Sequence, residues 1–396
     1  MKSESLGNIC EINNGFAFKS SQYKRSGIPL LRISNFNDGK VYIDDKQIYL
    51  DEKFLEAKKE FIVTKGDVLI ALSGATTGKY GVYDFDFPSL LNQRIGIIKS
   101  GKSESLNSKY FFYYLNILKE QILRNAGGAA QPNISTRKIA DFKIPLPPLP
   151  TQKRIAQILD KAAALRDNTQ QLLKEYDQLA QSIFLEMFGD PVINPKGWEE
   201  IELSKATSKI GSGATPRGGK ESYKSDGISL IRSLNIHDNK FKFKDLAFID
   251  DKQADKLKNV IVKEEDVLFN ITGASVARCA IVPKEVLPAR VNQHVSILRC
   301  KLNVLNPTFL LHLIISPNSK VKLLGVGSSN AATRESITKE QLTTFKVIVP
   351  PIDLQNQFAE KIDLIEKQKK LAKQELQESE NLFNCLLQKA FGGELG

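Results

Sequence analysis

Hydrophobic positions along the chain follow two patterns, one typical of short strands and one typical of long helices. Short apolar runs at 68–72, 95–99 and 267–270 are separated by clusters of Gly, Asn, Asp and Pro, as in β-strands joined by turns. A helix-like stretch follows late in each half, near 109–123 and 307–315. The pattern predicts an α+β fold whose globular parts are rich in strands.

Two longer stretches carry apolar or small residues at alternating spacings of three and four, from Ile155 to Met187 and from Phe358 to Ala390. This spacing predicts coiled-coil helices. A helix of about 38 residues is roughly 57 Å long. This length exceeds what a single globular part of this size needs for its own core. We therefore expect the helices to pack on each other in antiparallel fashion, with two lobes at opposite ends about a pseudo-twofold axis. In the alternative, each helix folds back on its own lobe. The expected spacer or subunit interface residues are Ile155, Leu165, Leu172, Leu179, Ile183, Phe358, Ile365, Leu376 and Leu386.

The two halves of the chain also repeat one another. The stretch 27–35 reappears as 227–235, sharing Gly, Ile, Leu, Arg and Asn, and the pair Asn92-Gln93 reappears as Asn292-Gln293. Further matches keep the same order, with an offset that stays between 199 and 203. A repeat of this length predicts an internal duplication, in which one structural plan is built twice.

Proline clusters at 144–150 and 349–351 end the two globular parts. Proline disfavours helix in the residue before it and suits the first turn of a helix, so these clusters predict an extended joint followed by a helix start. A polyproline ligand is the alternative for the first cluster. The predicted division is a first globular domain at 1–150, a central helix at 151–190, a second globular domain at 191–350 and a distal helix at 351–396.

Length and composition restrict the class of protein. The 396 residues exceed one ordinary domain, and 41% hydrophobic with 26% charged residues indicates a folded chain with real cores. No apolar run approaches the roughly 18 residues that a membrane span needs, and the first ten residues lack the apolar stretch of a signal peptide. We expect a cytoplasmic protein. The four cysteines have no CxxC spacing, which indicates neither a disulfide framework nor a zinc site.

The positive charge is unevenly distributed. The chain carries 56 Lys and Arg against 45 Asp and Glu, a net charge of +11. The net charge is +6 in 1–150 and +8 in 191–350, but −1 in 151–190 and −2 in 351–396. Charge that served only solubility, the alternative, would have no reason to avoid the exposed helices. The segregation favours two contacts with a nucleic-acid backbone.

Candidate DNA-binding residues lie in or beside the predicted loops of the two basic parts. Arg, Asn and Gln can read base edges through paired hydrogen bonds, and Lys can hold phosphates. The paired amides have an alternative role in bracing a strand end, and Arg32 and Arg232 have an alternative role as structural residues of the repeat. The candidates are Arg32, Lys79, Asn92, Gln93, Arg94, Arg137, Arg217, Lys220, Arg232, Arg278, Asn292, Gln293, His294 and Arg334.

No catalytic motif is found. The segment 76–80 (TTGKY) imitates the end of a phosphate-binding loop, but Tyr80 replaces the hydroxyl residue that would bind the metal and position 73 is Ser rather than Gly. The three histidines are far apart in sequence and form no metal-ligand spacing. An Asn-Pro-Pro-aromatic motif for amino methylation is absent. We predict a noncatalytic chain that binds no metal and no cofactor.

Several segments resemble one known family. The most specific is 184–191 (FLEMFGDP) followed by 194–198 (NPKGW), and the proline joint before Gln152 and the ending 388–395 (QKAFGGEL) are similar to family features too. The chain as a whole resembles the specificity subunits of type I restriction-modification enzymes. Gly392 departs from the related endings, which more often carry a basic residue there.

This resemblance implies a bipartite DNA target, each half read by one recognition domain in the major groove, with half-sites about 10 bp apart. It also implies two modification subunits that use S-adenosylmethionine to methylate adenine, and restriction subunits that are ATP-driven motor-nucleases requiring Mg. Two alternatives stay open. The chain is a noncatalytic coiled-coil protein adaptor, or it is a self-sufficient DNA methyltransferase or nuclease with unrecognised motifs.

Overall fold

The computed structural model describes residues 2–37, 39–127, 132–328 and 336–395. The chain forms two compact units. Unit 1 comprises Met1–Thr169 and Glu375–Gly396, and unit 2 comprises Gln170–Gln374. Both units mix strands and helices, and each of the two long helices contributes to both units. The predicted α+β class with long helices is confirmed, whereas the four-part division at 150, 190 and 350 stays a prediction.

The elements that begin in unit 1 are short apart from two helices. In chain order they are β1 (Ser3–Ser5), α1 (Leu6–Ile9), β2 (Glu11–Asn14), β3 (Ile28–Leu31), β4 (Phe36–Asn37), β5 (Gly39–Val41), β6 (Tyr49–Leu50), α2 (Lys53–Ala57), β7 (Ile62–Val63), β8 (Val68–Ala71), β9 (Tyr80–Val82), β10 (Ser89–Leu91), β11 (Ile95–Lys99), α3 (Ser108–Asn125), α4 (Thr136–Ala140), β12 (Lys143–Pro145) and α5 (Leu149–Phe188).

The elements that begin in unit 2 follow nearly the same plan. They are β13 (Glu200–Glu202), α6 (Leu203–Ala206), β14 (Thr207–Ser212), β15 (Ile228–Ile231), β16 (Ile236–His237), β17 (Lys240–Phe241), β18 (Ala247–Ile249), α7 (Asp251–Asp255), β19 (Ile261–Val262), β20 (Val267–Asn270), β21 (Cys279–Ile281), β22 (Ala289–Val291), β23 (Val295–Cys300), α8 (Pro307–Ile315), α9 (Pro317–Ser328), α10 (Lys339–Thr343), β24 (Lys346–Ile348) and α11 (Ile352–Gly392).

The sheets of the two units share one topology. Unit 1 has the sheets β2-β11-β8-β9-β5-β4, β6-β3-β10-β7 and β1-β12, and unit 2 has β14-β23-β20-β21, β18-β15-β22-β19 and β13-β24. The parallel pair β3/β10 corresponds to β15/β22. Among the described residues, the sheets differ at the β4/β5 hairpin, which joins the large sheet of unit 1, whereas its counterpart β16/β17 forms a separate pair. The predicted internal repeat is thus confirmed at the level of strand order.

The long helices complete the core of unit 1. The ring of Phe391, near the end of α11, lies 5.0 Å from that of Tyr110, and the ring of Phe383 lies 6.1 Å from that of Tyr113. On α5, Asp160 accepts a hydrogen bond of 2.7 Å from the Tyr113 hydroxyl and pairs with Lys109 at 2.8 Å. Residues from the chain's end are therefore required to cover the aromatic face of α3.

Unit 2 is completed in the same manner by four phenylalanines. Phe184 and Phe188 of α5 contact both Phe309 of α8 and Phe358 of α11, with ring centroids 4.7 to 5.6 Å apart. Within this unit the helix segments run antiparallel, because Phe184 contacts Phe358 while Asp177, earlier on α5, pairs at 2.8 Å with Lys369, later on α11.

The buried face of α5 differs in phase from the predicted one. Leu165, Leu172 and Leu179 are 42%, 36% and 45% exposed, and thus lie outside the buried seam between the helices, where the spacing placed them; their role in binding another subunit stays a prediction. The seam keeps the predicted position Thr169 but passes through Ala180 rather than Leu179, and small residues of this kind allow close approach between helices. A seven-residue leucine repeat has the same period on any face of a helix, so periodicity alone could not fix the phase.

The other predicted interface residues lie on or beside the seam. Ile155, Phe358 and Ile365 are buried, and Ile183, Leu376 and Leu386 are half-buried. Their role in binding another subunit stays a prediction.

A buried glutamine ties the start of α5 to the globular part of unit 1. Gln152 is 0% exposed, its amide nitrogen donates to the carbonyls of Ser105 (2.8 Å) and Pro147 (2.7 Å), and its amide oxygen accepts from the backbone N–H of Asn107 (2.9 Å). The same side chain thereby fixes the proline joint and the residue that caps α3.

Gln355 repeats this arrangement in unit 2. It is 0% exposed, donates to the carbonyls of Val304 (3.1 Å) and Pro350 (2.7 Å), and accepts from the backbone N–H of Asn306 (2.9 Å). The sequence placed these glutamines next to the proline joints, but their burial follows only from the structure.

No helix in the described part of the chain is long and apolar enough to cross a membrane. None of the four cysteines, all of which lie in the described residues, forms a disulfide; Cys10, Cys279 and Cys300 are buried and Cys385 is exposed.

We expect Gln355→Leu to lower the free energy of unfolding by about 3 kcal/mol, because it removes three hydrogen bonds and leaves one buried N–H and two carbonyls without partners. Urea unfolding followed by circular dichroism measures the change. Gln374→Leu, an exposed position of the same helix, is the matched control and should change stability little. Equal losses in both variants would contradict the role given to Gln355.

His312 makes the stability of unit 2 depend on pH. Its side chain is 6% exposed, and burial, followed by the nearby charge of Lys369, lowers its pKa to about 4. The neutral form is therefore favoured in the folded state, and stability falls as pH drops from the ordinary histidine pKa near 6.5 towards 4, by about 3 kcal/mol in total. His312→Phe should remove this part of the pH dependence in urea unfolding at pH 7 and pH 4.5. An unchanged difference between the two pH values would contradict it.

Candidate nucleic-acid interface

Four loop segments meet in unit 2 around the turn between β22 and β23. The backbone N–H of Asn292 donates to the carbonyl of Ile231 (3.1 Å), and its carbonyl accepts from Gly213 (3.1 Å). The carbonyl of His294 accepts from the N–H of Ile271 (3.0 Å). We call the four segments together the loop surface of unit 2. They are 213–224, 232–234, 271–278 and 292–294.

The same meeting point exists in unit 1, between β10 and β11. The N–H of Asn92 donates to the carbonyl of Leu31 (3.1 Å), and the carbonyl of Arg94 accepts from Leu72 (3.0 Å). Gly15 is needed here because a Cβ at its position would lie 2.2 Å from the carbonyl oxygen of Asn92. The loop surface of unit 1 accordingly comprises 15–25, 32–34, 72–79 and 92–94.

The loop between β8 and β9 of unit 1 and the loop between β20 and β21 of unit 2 share the same backbone hydrogen bonds. The N–H of Lys79 donates to the carbonyl of Thr76 (2.9 Å), as that of Arg278 does to Ser275 (3.2 Å). The residues before them, Gly78 and Ala277, both have positive φ. The segment 76–80, which imitates a phosphate-binding loop, is therefore a turn. Unit 2 forms the same turn without the Gly-Lys pair, in agreement with the sequence interpretation. Both turns place a basic residue at the same position.

Ten of the fourteen candidate residues lie at or beside these meeting points. In unit 1 they are Arg32, Lys79, Asn92, Gln93 and Arg94, and in unit 2 they are Arg232, Arg278, Asn292, Gln293 and His294.

Arg217 and Lys220 are exposed and lie on the segment whose Thr215 N–H donates to the side-chain oxygen of Gln293 at 2.7 Å. Arg137 is exposed on α4, outside the loop surface of unit 1. Arg334 lies outside the described residues.

The paired amides make internal contacts in unit 2. The side-chain oxygen of Asn292 accepts from the N–H of His294 at 3.0 Å, and Gln293 accepts from Thr215. These bonds brace the turn, as in the alternative that the sequence left open. In unit 1, Gln93 and Arg94 are exposed. Contact of these residues with DNA stays a prediction.

Arg32 and Arg232 also have roles within the fold. The backbone N–H of Arg32 donates to the side chain of Asn35 (2.8 Å), and that of Arg232 donates to Asn235 (3.1 Å). The guanidinium of Arg232 lies 5.3 Å from the centre of the Tyr223 ring. Both Nε atoms are buried and have no hydrogen-bond partner within the described chain. Both arginines are thus held at the edge of the loop surface.

Two concave areas lie on the loop surface of unit 2. One of about 380 Å³ is lined by Leu234, Thr272, Arg278 and His294, among others. A second of about 550 Å³ includes Arg217 and Lys256. The sequence did not single out Leu234 or Thr272. The internal repeat was the sequence feature that could have indicated both residues, because it matches Leu234 to Ser34 and Thr272 to Ser73.

The electrostatic environment near Arg278 is positive. Burial, followed by the charges of Lys242 and Arg278, lowers the pKa of His237. The part of this shift that comes from Lys242 and Arg278 reflects two positive charges near His237, and such charges attract an anion such as a phosphate. Within the described residues, no group of three or more His, Cys, Asp or Glu is placed to hold a metal ion.

Comparisons with known proteins agree with one another. A family described as "Type I restriction modification DNA specificity domain" matches residues 1–176 and 195–381. The chain is 28% identical to the type I restriction enzyme EcoBI specificity subunit of Escherichia coli, over 99% of this chain and 85% of that one. It is 24% identical to the putative type I restriction enzyme MjaX specificity subunit of Methanocaldococcus jannaschii, over 95% of this chain and 90% of that one.

Two solved structures share the fold. The S subunit of a type I restriction-modification system from M. genitalium has a TM-score of 0.55 at 15% identity, with 98% of this chain and 96% of that chain covered. A chain from a study of complex assembly and conformational transition of the type I R-M system has a TM-score of 0.62 at 17% identity, with 99% and 98% covered.

If the loop surfaces contact a nucleic-acid backbone, Lys79→Gln and Arg278→Gln should each weaken binding to all duplexes and reduce the slope of log K against log salt by about 1. Titration of the full chain with duplex DNA at several salt concentrations measures this. Lys161→Gln, an exposed position on α5, changes the net charge equally and should leave the slope unchanged. If Lys161→Gln reduced the slope as much as Lys79→Gln and Arg278→Gln, only the total charge of the chain would matter.

Proposed function

Since the chain belongs to the type I restriction-modification DNA specificity family, we propose that it selects a bipartite DNA sequence and that the loop surface of each unit reads one half. The observation that carries this proposal is the duplicated meeting point of loops, with Lys79 and Arg278 at matched positions. Loops held by a shared backbone scaffold can differ in side chains without changing the fold, as target selection requires.

The charge distribution supports contact with DNA. The segments 1–150 and 191–350, which contain the loop surfaces, carry +6 and +8, whereas the helical segments are slightly acidic. Neutralising phosphates requires Lys and Arg near the bases being read, and side chains on the same loops can then reach the major groove. The contacting residues are those named above as candidates, with the ten at the meeting points foremost.

We further propose that the long helices bind the partner subunits. In unit 2, Leu172 and Leu179 of α5 and Leu364 and Leu371 of α11 are between 36% and 62% exposed. Each pair is spaced by one heptad, and exposed apolar residues in such rows are typical of surfaces that another protein covers. The partners would be two modification subunits, together with restriction subunits.

On this proposal the chain itself is noncatalytic and acts in the cytoplasm as part of a DNA adenine methyltransferase and endonuclease. S-adenosylmethionine, ATP and Mg would bind to the partner subunits. The chain would supply the target sequence and the scaffold.

The helices would also set the gap between the half-sites, near 10 bp centre to centre. Deleting 167–173 from α5 together with 370–376 from α11 removes one heptad from each helix, and the phase of the buried seam is kept. Seven residues shorten a helix by about 10 Å, close to three base pairs. We therefore expect the recognised gap to shorten by about three base pairs or recognition to be lost.

Mapping methylated adenines in a host that carries the modification subunit with each variant measures the gap. Deleting 167–173 alone is the control, because it shifts one helix against the other and should abolish recognition. An unchanged target in the paired deletion would contradict the proposal that the helices act as spacers.

A further inference from the structure

One large apolar side chain stands exposed within the polar and basic concavity of unit 2. Leu234 is 43% exposed and lines this concavity with Thr272, Arg278 and His294. Leucine at such a position leaves apolar surface in water, and an apolar group that covers it is bound more favourably. The polar residues around it can satisfy hydrogen-bonding groups beside that apolar group.

The repeat supplies an internal comparison. Ser34 stands where Leu234 stands, in the matched single-turn helices Ile33–Asn35 and Ser233–Asn235. Both turns are closed by the same bond from the preceding arginine N–H to the asparagine side chain. Because the turn forms equally well with serine, the backbone does not require a leucine here. The difference between the units concerns what each surface contacts.

The other walls of the concavity carry hydrogen-bonding groups. The ring Nδ1 of His294 lies 2.6 Å from the Thr272 hydroxyl oxygen, a bond that holds the imidazole in place. Arg278 follows on the same loop as Thr272. In unit 1 the matched residues are Lys79 and Arg94, so the two surfaces also differ in the groups that surround the central position.

The major groove offers few ligands with this combination of groups. Every base pair presents hydrogen-bond acceptors there, but the thymine 5-methyl is the one apolar group among the four base edges. Across the major groove, an A·T pair presents in order the methyl group and the O4 acceptor of thymine and then the N6 amino donor and the N7 acceptor of adenine. A concavity of about 380 Å³ that is lined by a leucine together with Arg278 and His294 matches the methyl group and the acceptors of that edge.

We propose that the loop surface of unit 2 reads an A·T pair through contact between Leu234 and the thymine 5-methyl group, with Arg278 and His294 hydrogen-bonding to acceptors beside it. Leu234 is then a specificity-determining residue, and Thr272 is a positioning residue that acts through His294. The inference rests on the proposed function, because it assumes that this surface faces the major groove. Unit 1, with Ser34 at the matched position, would make no such methyl contact.

Replacing thymine by uracil removes only the methyl group, and therefore tests the contact directly. The probes are duplexes that carry the site methylated in the host, each with one thymine replaced by uracil, bound to the full chain assembled with its modification subunits. At one thymine of one half-site we expect uracil to weaken binding about fourfold, the value of one buried methyl group. Leu234→Ser should weaken binding to the thymine duplex and abolish this difference.

Two further variants serve as controls. Leu234→Met keeps an apolar side chain and should preserve the preference for thymine. Ser34→Leu places a leucine in unit 1 and should leave unchanged the preference for thymine at the base pair that Leu234 reads. If no uracil replacement weakens binding, or if Leu234→Ser discriminates as well as the original chain, the inference is wrong. A complex that binds no duplex at all would instead contradict the proposed function.

Discussion

Neither unit can bury its aromatic residues without both long helices, and this requirement constrains the rest of the structure. Tyr110 and Tyr113 are covered by Phe391 and Phe383, which come from the end of the chain. Phe309 is covered by Phe184 and Phe188 of α5, and these two rings also contact Phe358 of α11. Exposing several aromatic side chains would cost several kcal/mol in each unit. The helices are thus part of two cores, and their lengths cannot vary independently of the domains that they complete.

The buried glutamines extend this constraint from the helices to the loops. Gln152 binds the proline joint and the segment that starts α3, and Gln355 repeats these bonds. Each helix therefore leaves its unit at a fixed point and direction. The strands between that point and the loop surface are paired in ladders, and the loops themselves are joined by backbone bonds.

Much of this architecture could be predicted from periodicity and self-similarity. The repeat, the strands β8, β11 and β20, and the helices α3, α8, α5 and α11 follow from sequence patterns that need no tertiary information. The phase of the α5 seam could not be predicted, because small residues such as Ala180 gain their value only when a partner helix approaches. The assembly of the candidate site was equally hidden. The bond between Thr272 and His294 joins residues 22 positions apart in sequence. Arg137, a candidate chosen by the same criterion, lies on α4 rather than on the loop surface.

The contacts that hold the loop surfaces together are mostly backbone bonds, and this has a consequence for how such a surface can change. Asn292 and Asn92 engage the neighbouring strand through main-chain atoms at the same distance of 3.1 Å, although His294 follows one turn and Arg94 the other. Side chains on the loops can therefore be replaced at little cost to folding, whereas replacements at the glutamine joints or in the aromatic cores disturb a whole unit. Two copies of one scaffold can in this way carry two chemically different surfaces. Among the candidate residues, Lys79 and Arg94 in one half correspond to Arg278 and His294 in the other, whereas Asn92 and Gln93 recur unchanged as Asn292 and Gln293.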